Sequence, residues 1–525
     1  MNPWRNRNDS AKLGSRAAGA WEAWAGEGID VMTTTGDRTT GAKGADRVVV
    51  IGGGLSGLAA ASRIQQSADA LRRPVEVVVL EAKDRVGGVI ATDRRDGFTL
   101  ERGPDSFITN KPWAADLCRR LGLEDQLIEA APAHRRSFVV RKGKLVPVPE
   151  GFVVMAPHRL APVLASPILS LRGKIRLLVE ALLPRREPAG EESLATFVRR
   201  RLGREALDRL VQPLVGGMYT GDPNNLSLKA TLPQFLAMEQ QHGGLIRAAW
   251  RRRKEADARL ETESSGARYG MFVSLADGMG ELPRALAATL RPGTLRTNVA
   301  VRRVARASKG QGWIVEPLDG PPIEADAVVA TTEAHATARM IDGVDPALAL
   351  QLRGIPYASS IIVNVAYRRE QIQHHLNGFG FVVPAIEGRR LLATSFLNVK
   401  FPQRAPEGTA LLRAFVGGAS QPELFDLDDD EVRRLVAEEL GELIGASGEP
   451  LFVEIARHAR SMPQYVLGHL DAVEAIRRKV ARHPGFFLAG VAYDGVGIPD
   501  CIRAAEATAE AVVARLADPG SFAAA

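Results

Sequence analysis

The strongest constraint in this chain is a six-residue run, Gly52-Gly53-Gly54-Leu55-Ser56-Gly57, set directly behind the β-branched stretch Arg47-Val48-Val49-Val50-Ile51. An uninterrupted apolar run of this kind reads as a strand buried on both faces of a parallel sheet. Leu58 to Ala70 is alanine-rich and helix-prone, Pro74 breaks it, and Val75-Glu76-Val77-Val78-Val79-Leu80 makes a second strand ending at Glu81. The result is one βαβ unit. Gly52 lets the chain turn, Gly54 removes a side chain where a pyrophosphate must approach, and Gly57 permits close packing of helix on strand. The helix start, with Leu55 and Ser56 in its first turn, offers free N–H groups and partial positive charge to phosphates. Glu81 is placed to accept the ribose hydroxyls of an adenosine, with an ordinary solvated strand-end carboxylate as its bland alternative.

Nicotinamide and flavin dinucleotides share this fingerprint, so the residues that follow must discriminate. Ala82-Lys83-Asp84-Arg85-Val86-Gly87-Gly88-Val89 adds a second glycine pair behind an arginine, a loop that a nicotinamide enzyme does not need. An extended FAD is passed by more backbone, and Arg85 supplies charge there. Gly103-Pro104-Asp105-Ser106-Phe107 is a third turn of this sort.

The 525 residues are enough for two or three domains with large cores, which excludes a small stapled or disordered protein. Two cysteines far apart, Cys118 and Cys501, indicate neither a disulfide framework nor a zinc site and fit a reducing compartment. The net charge of +7 is local: His134 to Arg204 holds fifteen Lys/Arg against five Glu and no Asp. No nucleic-acid recognition module accompanies it, so nucleic acid is not an expected partner. Residues 1–45 have no apolar period and read as a disordered tail without the apolar core of a secretory leader. The middle of the chain reads as mainly helical. Phe152 to Leu171 is apolar but carries His158, Arg159 and three prolines, so it is not a spanning helix. Residues 266–334 and 355–420 return to strands, Asp428 to about Leu443 to helix, and the end to strand, glycine turn and helix.

Several motifs then resemble one family, the oxygen-dependent FAD-containing porphyrinogen oxidases of haem synthesis, within the amine oxidase superfamily. They are Val48 to Leu58 (VVVIGGGLSGL), Leu80 to Gly88 (LEAKDRVGG), Glu101 to Phe107 (ERGPDSF) and Gln212 to Asp222 (QPLVGGMYTGD). Leu226 to Gln241 (LSLKATLPQFLAMEQQ), Asp277 to Leu286 (DGMGELPRAL) and Leu488 to Ile502 (LAGVAYDGVGIPDCI) complete the set. The first two are shared with every amine oxidase relative, whereas GPDSF, GGMYTGD and GVGIPDCI are more specific.

The resemblance implies an α/β chain, α+β overall, with a Rossmann-like discontinuous FAD domain and two insertions, one mixed-sheet for substrate and one helical. The expected boundaries are 46–112, 266–334 and 451–518 for the FAD domain, 113–255 for a membrane-facing helical domain and 335–450 for the substrate domain. It also implies that Val299, in a strand after Thr297, contacts the adenine side of FAD, and that Gly490, Val496, Gly497 and Ile498 meet the flavin end. For the substrate it implies Lys111 as the cation for a propionate, Asn110 as a weaker neighbour, and Gly217 as a position where only a small residue fits. The implied reaction is the six-electron oxidation of a porphyrinogen with O2 as acceptor and H2O2 as product, coproporphyrinogen III being favoured over protoporphyrinogen IX. A cytoplasmic location follows, with peripheral contact to the inner face of the cell membrane. The oligomeric state is left open, a homodimer included. No catalytic base and no metal site emerge from spacing. The competing readings are a desaturase or amine oxidase on the same scaffold, or a flavin-free carrier of the same fold.

Overall fold

The computed structural model describes residues 45–186, 190–257, 272–308 and 312–518. The tail expected over residues 1–45 lies, but for Ala45, outside the described residues.

The chain runs through β1 (Asp46–Ile51), α1 (Leu55–Ala70) and β2 (Val75–Leu80), then a hairpin of β3 (Phe138–Arg141) and β4 (Lys144–Pro147). Among the helices that follow are α2 (Leu171–Leu178) and α3 (Gln212–Tyr219). Next come β5 (Leu295–Arg296), β6 (Ala327–Ala330), β7 (Tyr357–Arg368), β8 (Gly380–Val382), β9 (Leu391–Phe396) and β10 (Thr409–Gly417). Then α4 (Asp429–Ile444), β11 (Phe452–Pro463), β12 (Phe486–Leu488) and α5 (Ile498–Ala517) complete the set.

One sheet is parallel, in the order β5-β2-β1-β6-β12, so three stretches far apart in sequence meet in it. Val48 stands opposite both Val77 and Ala327. Alternate residues explain the apolar runs. Val48, Val50, Val77 and Val79 pack on Ala61 and Ile64 of α1 and Val512 of α5, whereas Val49, Ile51 and Val78 pack on Trp313 and Ala338. Both faces are covered, so neither set of valines alternates with polar residues.

The second sheet has seven strands in the order β11-β7-β10-β9-β8-β3-β4, antiparallel except where β8 meets β3. Helix α4 covers one of its faces. Ile361, Val363, Leu412 and Ala414 pack there against Val432, Leu435, Val436 and Leu440. A reciprocal capping box, Asp428 with Glu431, starts α4, and Gly445 in the left-handed region ends it. The other face of the sheet points toward the loops of the parallel sheet.

This arrangement moves the expected domain boundaries. β3 and β4 lie in the stretch expected to be helical, yet they extend the seven-stranded sheet. Their signal was present in Phe138-Val139-Val140-Arg141 and Lys144-Leu145-Val146-Pro147 around Lys142-Gly143, both residues of which adopt positive φ. Residues 334–352 belong against the parallel sheet, where Ala338, Ile341, Leu348 and Leu352 pack, so the boundary at 335 falls two helices early. The boundary at 450 also falls early, because β11 pairs with β7. The helical run around Glu205 to Leu214 contains a wider turn over Leu207–Val211.

The helical segment has its own core, built from residues such as Phe197, Val198, Leu210 and Phe235. Through this core runs a buried ion cluster. Arg201 pairs with Glu180 and Glu239, and Glu180 also accepts the N–H groups of Leu245 (2.8 Å) and Ile246 (3.0 Å). Arg200 binds Glu192 and Glu239, and Arg176 donates to the carbonyls of Arg199, Arg200 and Arg201. Arg176, Arg200 and Arg201 are therefore engaged internally, whereas Lys142, Lys144, Arg159, Arg172, Arg185 and Arg204 of the same segment remain exposed. Removing one member of a buried pair strands the other. Arg201→Met is expected to cost about 3–5 kcal/mol in denaturant unfolding, and adding Glu180→Leu is expected to recover part of that loss.

Candidate functional site

The glycine run leaves β1 and caps α1 as the sequence requires. Gly52 has φ +109°, and a Cβ on Gly57 would lie 1.9 Å from the Gly52 carbonyl oxygen, so the helix approaches the turn too closely for any side chain. Gly54 is the N-cap of α1 and no side chain caps that end. A Cβ added at Gly54 meets only Gly88 Cα, at 3.9 Å, so the helix start faces a gap bounded by backbone. Glu81 is buried at the tip of β2. Its carboxylate accepts the Gly53 N–H at 2.6 Å and the Lys83 N–H at 2.9 Å, which fixes the head beside the glycine turn while lone pairs remain for hydroxyl donors.

The second and third loops close around this start. Gly53 accepts from the N–H of Gly87 at 2.8 Å, and Gly54 bridges to Gly87. Arg85 donates to the carbonyls of Val86 and Gly88 (3.2 and 3.0 Å), so it braces its own loop; Ala82 and Val89 remain exposed. A Cβ on Gly103 would lie 1.9 Å from the Val89 carbonyl oxygen, which ties the third loop to the second. At the far end of the sheet, Gly490 has φ +129° and Gly497 caps α5 without a side-chain partner, so Val496, Gly497 and Ile498 present a second helix start. Val299 lies between strands, not in one. Its N–H donates to the Glu81 carbonyl at 2.8 Å, which still puts it beside the tip of β2.

Asp105 does not offer its carboxylate outward: Lys400 holds it at 3.0 Å and Ser106 at 2.7 Å, with Arg413 at 3.7 Å. Burial works against its ionisation, but Lys400 and Arg413 outweigh it and hold the carboxyl well below the usual range. Pro104 and Ser106 are carried in the same half-buried loop. Lys111 is no spare cation, because its Nζ pairs with Asp500 of α5 at 2.6 Å. Asn110 is exposed beside it. Gly217 is exposed on α3, and a Cβ there would make an ordinary 3.7 Å contact with Val382.

Residues that no motif marked complete the site. Thr331, at the end of β6, donates to the Ile51 carbonyl at 2.9 Å and would clash with any Cβ on Gly52. Tyr465 donates to the Val491 carbonyl at 2.7 Å and accepts from the Gly495 N–H at 2.8 Å, pinning the loop that leads into α5. Its ring stacks on His469, which burial pushes down to about 4, so His469 is neutral. On the face of the seven-stranded sheet turned away from α4, the cross-strand partners Ile362, Phe415, Ala393 and Val382 form an apolar row, buried at Ile362 and Ala393, that ends against Gly217. These residues sit on strands that look like ordinary core, and only the pairing register reveals the row.

An uncapped helix start facing a backbone-lined gap, a braced acid at the adjacent strand tip and a second helix start across the sheet together define an extended dinucleotide site of the flavin type. The comparisons agree. The family described as flavin containing amine oxidoreductase matches residues 55–513. A coproporphyrinogen III oxidase of Bacillus subtilis (strain 168) is 34% identical over 460 residues, 87% of this chain and 96% of that one. One from Propionibacterium freudenreichii subsp. freudenreichii is 34% identical over 89% of this chain and 90% of that one. The crystal structure of a protoporphyrinogen oxidase candidate from Exiguobacterium sp. 255-15 superposes with a TM-score of 0.79 at 30% identity, covering 90% of this chain and 99% of that one. The chain belongs to the flavin-containing amine oxidoreductases and, within them, to the porphyrinogen oxidases; its cofactor is FAD. Glu81→Leu removes the acceptor and frees the Gly53 and Lys83 N–H groups. It is expected to weaken FAD binding about tenfold or more in fluorescence titration, with Glu81→Gln less affected.

Proposed function

We propose that this enzyme oxidises coproporphyrinogen III to coproporphyrin III, a step of haem synthesis, with O2 as the final acceptor. A porphyrinogen has four sp³ bridges between pyrrole rings, and aromatisation removes six electrons and six protons. FAD supplies the chemistry by accepting two electrons at a time, so each macrocycle needs three cycles and three O2, each reduced to H2O2. The observation that carries the reading is the apolar row Ile362–Phe415–Ala393–Val382, on the sheet face turned toward the nucleotide loops. A flat, greasy macrocycle matches such a row. The preference for coproporphyrinogen III rests on the names of the two curated relatives at 34% identity.

The chain's own residues position and shield. Arg413 lies with its guanidinium 4.8 Å from the Phe415 ring, which locks that ring as a platform. His458 is held below its ordinary value by burial and is engaged with a backbone carbonyl, so it is not a free base. The protons released on N–H tautomerisation go to water. Anaerobic mixing tests the reading: flavin absorbance near about 450 nm is expected to bleach faster with coproporphyrinogen III than with protoporphyrinogen IX. Admitting air is expected to restore it with peroxide formed. Equal or reversed rates overturn the preference, and no bleaching with either overturns the reading.

Peripheral attachment to an anionic membrane is a second proposal, and one surface favours it. Leu171 and Ile175 on α2, followed by Leu178, Val179 and Leu182, recur at helical spacing on one face, and Leu171 and Leu182 are 74% and 79% exposed. Such a stripe is what a helix lying in a membrane surface presents. Among the described residues no helix is long and apolar enough to cross a membrane. Leu171→Glu with Leu182→Glu is expected to cut cosedimentation with vesicles of mixed neutral and anionic phospholipid about tenfold, without loss of bound FAD.

A further inference from the structure

Glu101, Arg102 and Gly103 enter the third nucleotide loop, and their three consecutive carbonyls lie against the second sheet. Glu101 ends the strand Phe98–Glu101, which pairs with Thr92–Arg95, and Arg102 and Gly103 follow it into the loop; the carbonyls of all three bond to side chains of the second sheet. Each partner is on a different strand. Asn364 on β7 donates its Nδ2–H to the Glu101 carbonyl at 3.1 Å. His458 on β11 meets the Arg102 carbonyl at 2.6 Å through Nε2, and because a carbonyl only accepts, that nitrogen carries the proton. Arg413 on β10 donates to the Gly103 carbonyl. Asn364 and Arg413 are direct cross-strand partners, so both project from the face that carries the apolar row.

The carboxylates of the same loop are held as well. Glu101 accepts from Arg404 at 3.1 Å, from the Met279 N–H at 2.9 Å and from Thr92 at 2.7 Å. Burial raises its carboxyl, with Arg404 opposing. Asp105 is held by Lys400 and Arg413. The carboxylate pairs secure the loop as a whole, whereas the three carbonyl contacts fix its height above the sheet, since a carbonyl direction is set by the backbone itself.

We propose that Asn364, His458 and Arg413 act as positioning residues, a three-point clamp that sets the spacing between the cofactor loop and the substrate-bearing face. The role in catalysis rests on the porphyrinogen reading above; the clamp itself does not. Loss of the His458 or Asn364 contact leaves both binding surfaces intact and spoils only their separation, and misplacement on the order of 1 Å costs about 10²-fold in rate.

The test uses the full-length FAD-loaded protein with two substitutions at one position. His458→Leu removes the donor, and His458→Gln keeps an N–H. Hydrogen exchange is followed over peptides spanning residues 101–107, together with the rate of flavin reduction and KM for coproporphyrinogen III. For His458→Leu, exchange is expected to rise about tenfold and flavin reduction to slow about tenfold, with FAD content unchanged and KM within about twofold. His458→Gln is expected to return both readings toward wild type. Unchanged exchange in His458→Leu, or His458→Gln as impaired as His458→Leu, overturns the clamp. If His458→Leu does not fold, Asn364→Leu gives the same readings through the Glu101 carbonyl. If the wild type oxidises no porphyrinogen while exchange still responds, the functional reading has failed and the clamp stands.

Discussion

The buried contact between the third nucleotide loop and the seven-stranded sheet is the constraint on which the arrangement depends. Glu101 and Asp105 on one side meet Arg404, Lys400 and Arg413 on the other, and Arg404 and Arg413 have almost no exposed side-chain surface. Charges so deeply buried are tolerable only when each finds a partner, so the loop and the sheet cannot separate without stranding several of them. That makes the junction all-or-none. A weaker, solvated junction would let the two surfaces drift.

Around this junction the roles divide between backbone and side chains. The nucleotide side is mostly backbone: glycine turns, two uncapped helix starts and one braced carboxylate. The sheet side is mostly side chains, with apolar residues in a row and polar ones aimed at the loop. A dinucleotide carries phosphates and hydroxyls that N–H groups and an acid can satisfy, whereas a porphyrinogen offers a broad apolar surface. Each half has the chemistry its ligand requires.

How much was legible beforehand follows from the range of the interactions. The βαβ unit and Glu81 were readable because their logic is local: β1 and β2 are six-residue strands, and the glycines between them answer to neighbours a few residues away. Helix α4 was readable from its cap and period. The β3–β4 hairpin carried a local turn signal but no hint of which sheet it joins. Lys111 looked like a free cation because nothing in its own neighbourhood announces Asp500, 389 positions later. Asp105 read only as part of a third turn for the same reason, since its partners Lys400 and Arg413 come from a distant part of the chain.

The sequence by itself determined the cofactor class and the family, because dinucleotide binding is written in contiguous glycines and one acid whose spacing has a direct steric meaning. It also determined that the basic residues concentrate in one segment, though not that the buried carboxylates Glu180 and Glu239 pair with two of them, Arg200 and Arg201. Only the tertiary structure decided which strands carry the apolar row, which cations are already paired and which side chains meet the carbonyls of the third loop. The physical reason is that these depend on pairing register and on burial, and both join residues hundreds of positions apart. A chain's local pattern encodes which face of a strand is apolar, but what that face meets is settled only when the sheets pack.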